Sequence, residues 1–170
     1  LAHAYNSLAP DKNNANDVAA ALAYHQQALA LREGLVQDFP DKPEYLAELG
    51  GTVNNLGVIL GRQRKNREAL AMFERGVGYS AEAYRNAPQT IQWGRWLGLG
   101  LRNVAGQHVV FDNQQQALQS YERLVAVRRK LAFENPAVPS LKGDLYTAYL
   151  DLGNYQNELG DTAAARRSYQ

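Results

Sequence analysis

The chain has 170 residues, which is enough for one ordinary domain or a short array of repeats. Its 18 Lys and Arg nearly balance its 17 Asp and Glu, so the composition shows no overall polyanion-binding charge. Cysteine is absent, which excludes disulfides, thiolate catalysis and cysteine-ligated zinc or iron–sulfur sites. No apolar run is long enough for a transmembrane helix. We expect a cytoplasmic protein with no membrane insertion.

One sequence period of 48 residues recurs along the chain. Its first position holds Leu1, Leu49, Leu97 and Leu145. A later position holds a small residue in every copy: Ala9, Gly57, Ala105 and Gly153. A ring follows near the middle of the second helix: His25, Phe73, Tyr121 and Tyr169. The period predicts the repeats 1–48, 49–96, 97–144 and a truncated 145–170.

Each repeat has the pattern of two helices. In the second copy, apolar residues at helical spacing predict helices over 44–61 and 66–86. Asp41 followed by Glu44 is a capping-box pattern, with Pro43 tolerated in the first turn. Asp17, Asn113 and Asp161 have equivalent positions and are expected N-caps. We find no alternating strand pattern, and the predicted fold class is all-α.

Prolines and small residues set the ends and the packing of these helices. Pro88 and Pro136 are expected to end the second helices, because proline cannot donate the backbone hydrogen bond. Gly57 and Ala69 lack bulk, so we expect two helices to approach closely there. A single helix pair has little core of its own, and stacked pairs share one core as a solenoid.

The phrases "TVNNLGVIL" and "REALAMFERG", with Leu56-Gly57, Ala69 and Phe73 in order, resemble the tetratricopeptide repeat. The long repeat is similar to the kinesin light chain class and to bacterial multidomain proteins, some headed by a Ser/Thr kinase domain. The resemblance implies a right-handed superhelical solenoid of antiparallel helix pairs, about 3.5 repeats in a single array over 1–170. Because the chain opens without Met and its last repeat is truncated, we expect a fragment of a longer protein.

The resemblance also implies a site. First helices of this family line a concave groove that binds a peptide or a partner helix. The positions one turn before the Leu-Gly pair face that groove. The matching candidates are Asn6, Asn54, Asn55, Arg102 and Asn103. An Asn amide can donate to and accept from a peptide backbone, and Arg can hold a carboxylate or phosphate bidentately. The alternative is that the Asn side chains bond neighbouring helices or stay solvated.

Residue patterns that carry catalysis or bind cofactors are absent from the sequence. His3, His25 and His108 form no metal-ligand spacing, and the glycines around 94–106 form no phosphate-binding loop. We expect no catalytic residue, no metal and no cofactor. Trp93 and Trp96 flank a repeat junction, where packing is favoured over partner anchoring.

Basic residues cluster in "GRQRKNRE", with a smaller cluster at 128–130. A solvated turn is favoured over a nucleic-acid surface, and no nucleic acid is expected as a partner. Charge differs between copies: the first has 3 basic and 7 acidic residues, and the second has 7 and 3. Complementary ends of this kind leave self-association open.

The sequence therefore predicts a non-catalytic protein–protein interaction module that binds a peptide or helix. One alternative is a regulatory or scaffolding segment of a larger enzyme, such as a bacterial Ser/Thr protein kinase. Another is a structural spacer that self-associates.

Overall fold

The computed structural model describes residues 15–170, and side chains from residue 19 onward. It contains helices throughout and no strand within that range. The helices are α1 (Ala15–Asp38), α2 (Pro43–Arg62), α3 (Asn66–Asn86), α4 (Ile91–Val110), α5 (Gln114–Glu134), α6 (Ser140–Glu158) and α7 (Thr162–Ser168). The predicted all-α class is therefore what the structure shows.

The chain forms two compact units. Unit 1 is Leu1–Trp96 and unit 2 is Leu97–Gln170, so the division falls inside α4. In unit 1, α2 packs against α1 and α3, and in unit 2, α6 packs against α5 and α7. The unit boundary coincides with a predicted repeat boundary, although the division into four repeats stays a prediction.

The core of unit 1 depends on small residues at the crossing of α2 and α3. A Cβ added at Gly57 would lie 2.7 Å from the Phe73 ring, and one at Gly50 would lie 3.1 Å from the Gly76 carbonyl oxygen. The missing side chains let the two backbones approach, as expected from the sequence. Trp93 and Trp96 are half-buried and pack against the cluster formed by Leu46, Ala47 and Ala83. These contacts support the packing role that the sequence favours for the two tryptophans.

The turns between paired helices share one conformation. Arg64, Asp112 and Gly160 have φ angles of 61°, 55° and 82°, and they are spaced by 48 residues. This left-handed conformation favours glycine, and only the last copy uses one. The chain thus reverses direction in the same way at the end of α2, α4 and α6.

Helix ends depart from the sequence prediction at three places. Pro43 is the first residue of α2, which makes Lys42 the N-cap, and its side chain makes no capping hydrogen bond. The capping box predicted for Asp41 and Glu44 is therefore wrong by one position, because the fixed φ of proline suits the first helical residue. Asn113 occupies the N-cap of α5 without a capping bond. Its Nδ2 lies 3.4 Å from His108 Nδ1 instead.

The other two expected caps have different outcomes. Asp161 does cap α7, and its side chain accepts a 2.9 Å hydrogen bond from the Ala164 backbone N–H. The prediction for this residue is confirmed. Asp17 lies inside α1, which has already begun at Ala15, so it is not an N-cap.

A buried polar cluster joins α1 to α2. The Arg32 side chain is only 2% exposed, and its guanidinium donates to Glu48 Oε2 at 3.2 Å and to the Thr52 hydroxyl. Thr52 in turn donates to the Glu48 carbonyl oxygen at 3.0 Å. His25 is buried on the same helix, and burial, followed by the charge of Arg32, lowers the pKa of its imidazole. The cluster links α1 to α2 through charge-assisted hydrogen bonds.

Candidate peptide-binding site

The candidate residues have unequal access to solvent. Arg102 is exposed, and Asn55 and Asn103 are half-buried. Asn54 is only 8% exposed and lies where α2 meets Gly76 of α3. Asn6 lies outside the described residues. Asn54 and Asn55 belong to unit 1, and Arg102 and Asn103 belong to unit 2.

Arg102 makes an ion pair with Asp151 of α6. Its Nε lies 2.8 Å from Oδ2, and its Nη2 donates to Oδ1 at 3.0 Å. The Arg102 side chain is 53% exposed, whereas Asp151 is 18% exposed. The buried Oδ2 accepts no hydrogen bond from the residues that the structure describes, so one hydrogen bond and one close charge contact hold the pair. A planar guanidinium can hold a carboxylate through two parallel hydrogen bonds, and Asp151 uses one of them.

A half-open cavity of about 140 Å³ adjoins this ion pair and lies between α4, α5 and α6. All of its walls belong to unit 2. Residues one or two turns apart on each helix supply them: Gly98 and Arg102, Leu124 and Arg128, and Asp144, Ala148 and Asp151. Such spacing places each set on one helix face. The cavity is thus lined by two arginines and two aspartates around a small apolar floor.

Arg128 forms the deeper cationic wall. Its guanidinium lies against the bare backbone of Gly98, where an added Cβ would be 2.8 Å from Cζ. Its Nη1 lies 3.5 Å from Asp144 Oδ2, and its side chain is 14% exposed. This contact is at the limit of a hydrogen bond, so its pairing with Asp144 is weak.

Three polar positions of unit 1 have counterparts in the wall of the cavity. Arg32, Glu48 and Thr52 of unit 1 lie 96 residues before Arg128, Asp144 and Ala148 of unit 2. In unit 1 the longer Glu48 and the Thr52 hydroxyl both reach the arginine. In unit 2 the shorter Asp144 and Ala148 line the cavity. Arg128 therefore has a longer carboxylate contact than Arg32 and no hydroxyl at position 148 to bind.

Tyr121 borders the ion pair from α5. It packs on Tyr155 with ring centroids 5.4 Å apart. Burial, and then the negative charge of Asp151, raises the pKa of its phenol. The phenol therefore stays protonated and neutral in the neutral pH range.

Sequence reasoning found Arg102 but missed Asp151, Arg128 and the cavity. One signal was available: the pairs Arg32 with Glu48 and Arg128 with Asp144 recur at the same positions of alternate repeats. Opposite charges repeated in register predict an ion pair between neighbouring helices. No group of three or more His, Asp or Glu within residues 15–170 could hold a metal ion. None of the helices described is both long and apolar enough to cross a membrane.

The comparisons with known proteins agree with the fold. Residues 1–41 and 50–78 match the tetratricopeptide repeat family. The fold is similar to the crystal structure of BtubC (BKLC) from P. vanneervenii, with a TM-score of 0.59 over 90% of this chain at 20% identity. The chain spans 54% of the length of BtubC. No protein with a curated description matches it.

These findings confirm the predicted resemblance to tetratricopeptide repeats and the helical repeat solenoid class. Tetratricopeptide repeats generally mediate protein–protein interaction, and folds of this kind are typically non-catalytic. Which surface binds, and what it binds, does not follow from the fold.

Proposed function

We propose that this chain is an interaction module that binds a partner polypeptide at the unit 2 cavity. The partner supplies a carboxylate that exchanges with Asp151 on Arg102. The observation that carries the proposal is the half-exposed Arg102 ion pair at the edge of a cavity with a second arginine in its wall. The proposed role is binding alone, with no catalytic residue.

Exchange of this kind has both a cost and a gain. Arg102 is 53% exposed and can be reached by a partner, whereas Asp151 is 18% exposed, so its release has a desolvation cost. The incoming carboxylate can accept two parallel N–H bonds from Arg102, of which Asp151 accepts one, and it also places charge toward Arg128. The additional hydrogen bond to a charged group contributes about 1.5–3 kcal/mol, which offsets the cost of release.

The Asn candidates differ in the part they can take. Asn103 follows Arg102 on α4 and is half-buried, so part of its amide can reach a peptide backbone. Asn55 offers a similar contact in unit 1. Asn54 is almost fully buried, and packing between α2 and α3 is the role its position favours.

The proposal is tested with a peptide selected on the parent chain from a random display library. We expect Arg102→Ala to weaken its binding by about 10-fold or more, because the fork to the carboxylate is lost. Asp151→Asn removes the internal competitor, so we expect binding to tighten by about 2- to 5-fold. The readout is the dissociation constant from titration calorimetry.

A matched control separates the site from general charge. Arg123 is an exposed arginine on α5 that does not line the cavity, so Arg123→Ala should leave binding unchanged. Replacing the peptide carboxylate by an amide should cost as much as Arg102→Ala. Equal affinity of the parent, Arg102→Ala and Asp151→Asn chains for the peptide would refute the proposed site.

A further inference from the structure

Two oppositely charged clusters lie at the two ends of α2. The acidic cluster is Asp38, Asp41 and Glu44, and the basic cluster is Arg62, Arg64, Lys65 and Arg67. All seven side chains are exposed. Within the part of the chain that the structure describes, none of the seven makes an ion pair. Lys42 reduces the negative charge of the acidic cluster, and Glu68 reduces the positive charge of the basic cluster. Both clusters keep their sign.

The outer face of α2 connects the clusters. It presents a stripe at spacings of three, four or seven residues: Glu44, Gly51, Asn55, Val58 and Arg62. Every member is half-buried or exposed. A Cβ added at Gly51 would meet nothing within 4 Å, so the middle of the stripe is open. Its charge runs from acidic through neutral to basic.

We propose that this stripe is a self-association surface on which two copies of the chain pair with their α2 helices antiparallel. In a two-fold interface the same patch of both copies meets in opposite directions. The two ends of the patch must therefore be complementary to each other. The stripe meets that condition. Glu44 faces Arg62 of the second copy, and Gly51 faces Asn55. A helix of 20 residues is about 30 Å long, so both charge contacts form at once.

The order of the charges favours a second copy of the chain over an anionic partner such as a nucleic acid. A nucleic acid or an acidic peptide would neutralise the basic cluster and be repelled by the acidic one. A second copy satisfies both clusters with one interface. Exposed ion pairs are individually weak, so the association is a weak one with a dissociation constant of about 10 µM to 1 mM. Its strength falls as salt shortens the screening length to about 3 Å near 1 M.

Charge reversal tests the pairing directly. One variant carries Asp38→Lys, Asp41→Lys and Glu44→Lys, and the other carries Arg62→Glu, Lys65→Glu and Arg67→Glu. Arg64 is kept because of its positive φ. We expect a parent dimer by sedimentation equilibrium at low salt. Each variant alone should be monomeric, whereas an equimolar mixture should form a heterodimer at least as tight as the parent.

Two further variants address the open centre of the stripe. Gly51→Arg should reduce dimerisation by about 10-fold or more while the chain stays folded. Gly78→Arg on α3, where an added Cβ also meets nothing within 4 Å, is the matched control and should dimerise normally.

Three results would overturn the proposal: a parent chain that is monomeric at about 1 mM in low salt, a reversed pair that does not associate, and a monomer that binds an added acidic polymer through the basic cluster. The unit 2 cavity contains none of the altered residues. The selected peptide should therefore bind every variant, which separates failure of this proposal from failure of the proposed function.

Discussion

Arg32→Ala is expected to destabilise unit 1 by about 3–5 kcal/mol. The substitution removes a guanidinium that is 2% exposed and leaves Glu48 and Thr52 without their partner. A partly buried carboxylate that loses its cation retains the desolvation cost without the attraction. The loss is measured by urea unfolding followed by far-ultraviolet circular dichroism.

Two comparisons check the cause of that loss. Arg32→Met with Glu48→Gln replaces the ion pair by groups of similar volume and should cost much less than Arg32→Ala. Arg128→Ala, at the equivalent position of unit 2, should cost about 1–2 kcal/mol, since its carboxylate contact is longer and its surroundings are wetter. Equal losses at positions 32 and 128 would show that burial of the cluster is not the source.

Gly57→Leu is expected to destabilise unit 1 by about 3 kcal/mol. Even the first added carbon would lie 2.7 Å from two atoms of the Phe73 ring and 3.2 Å from the Ala69 carbonyl oxygen. The ring is buried, so neither it nor the backbone can move away without opening the contact between α2 and α3. The same unfolding experiment measures the effect.

Gly78→Leu is the control for this substitution. It lies on the exposed face of α3, where an added Cβ meets nothing within 4 Å. In a helix interior Gly is less favourable than Ala by about 0.8–1 kcal/mol and Leu ranks next to Ala, so this variant should be slightly more stable than the parent. If both leucine variants shifted stability in the same direction, the contact between α2 and α3 would not depend on the missing side chain at Gly57.

Sequence reasoning was most accurate where local chemistry determines the structure. The predicted helix over 66–86 is α3, Asn66–Asn86, and the predicted 44–61 is α2, Pro43–Arg62. Apolar spacing, the proline positions and the small residue at Gly57 are all local signals. The cap predicted at Asp41 was wrong because Pro43 shifts the helix start by one residue.

The site was harder to predict because it depends on contacts between helices. Arg102 and Asp151 are 49 residues apart, and nothing near either residue indicates the other. The cavity lies between three helices, and Ala148 lines it at the position where unit 1 has Thr52 bonded to Arg32. Only comparison of equivalent positions in the two units reveals this difference.

The measurement that tests the proposed function most directly is peptide binding by a variant whose cavity is filled with larger side chains. Their residue types are those of the equivalent positions in unit 1. Asp144→Glu with Ala148→Thr gives positions 144 and 148, opposite Arg128, the residue types that unit 1 has at Glu48 and Thr52. We expect the selected peptide to lose about 10-fold or more in affinity, while the stability of the chain is unchanged or raised. A filled variant that binds the peptide as tightly as the parent would contradict the proposal that the cavity is the binding site.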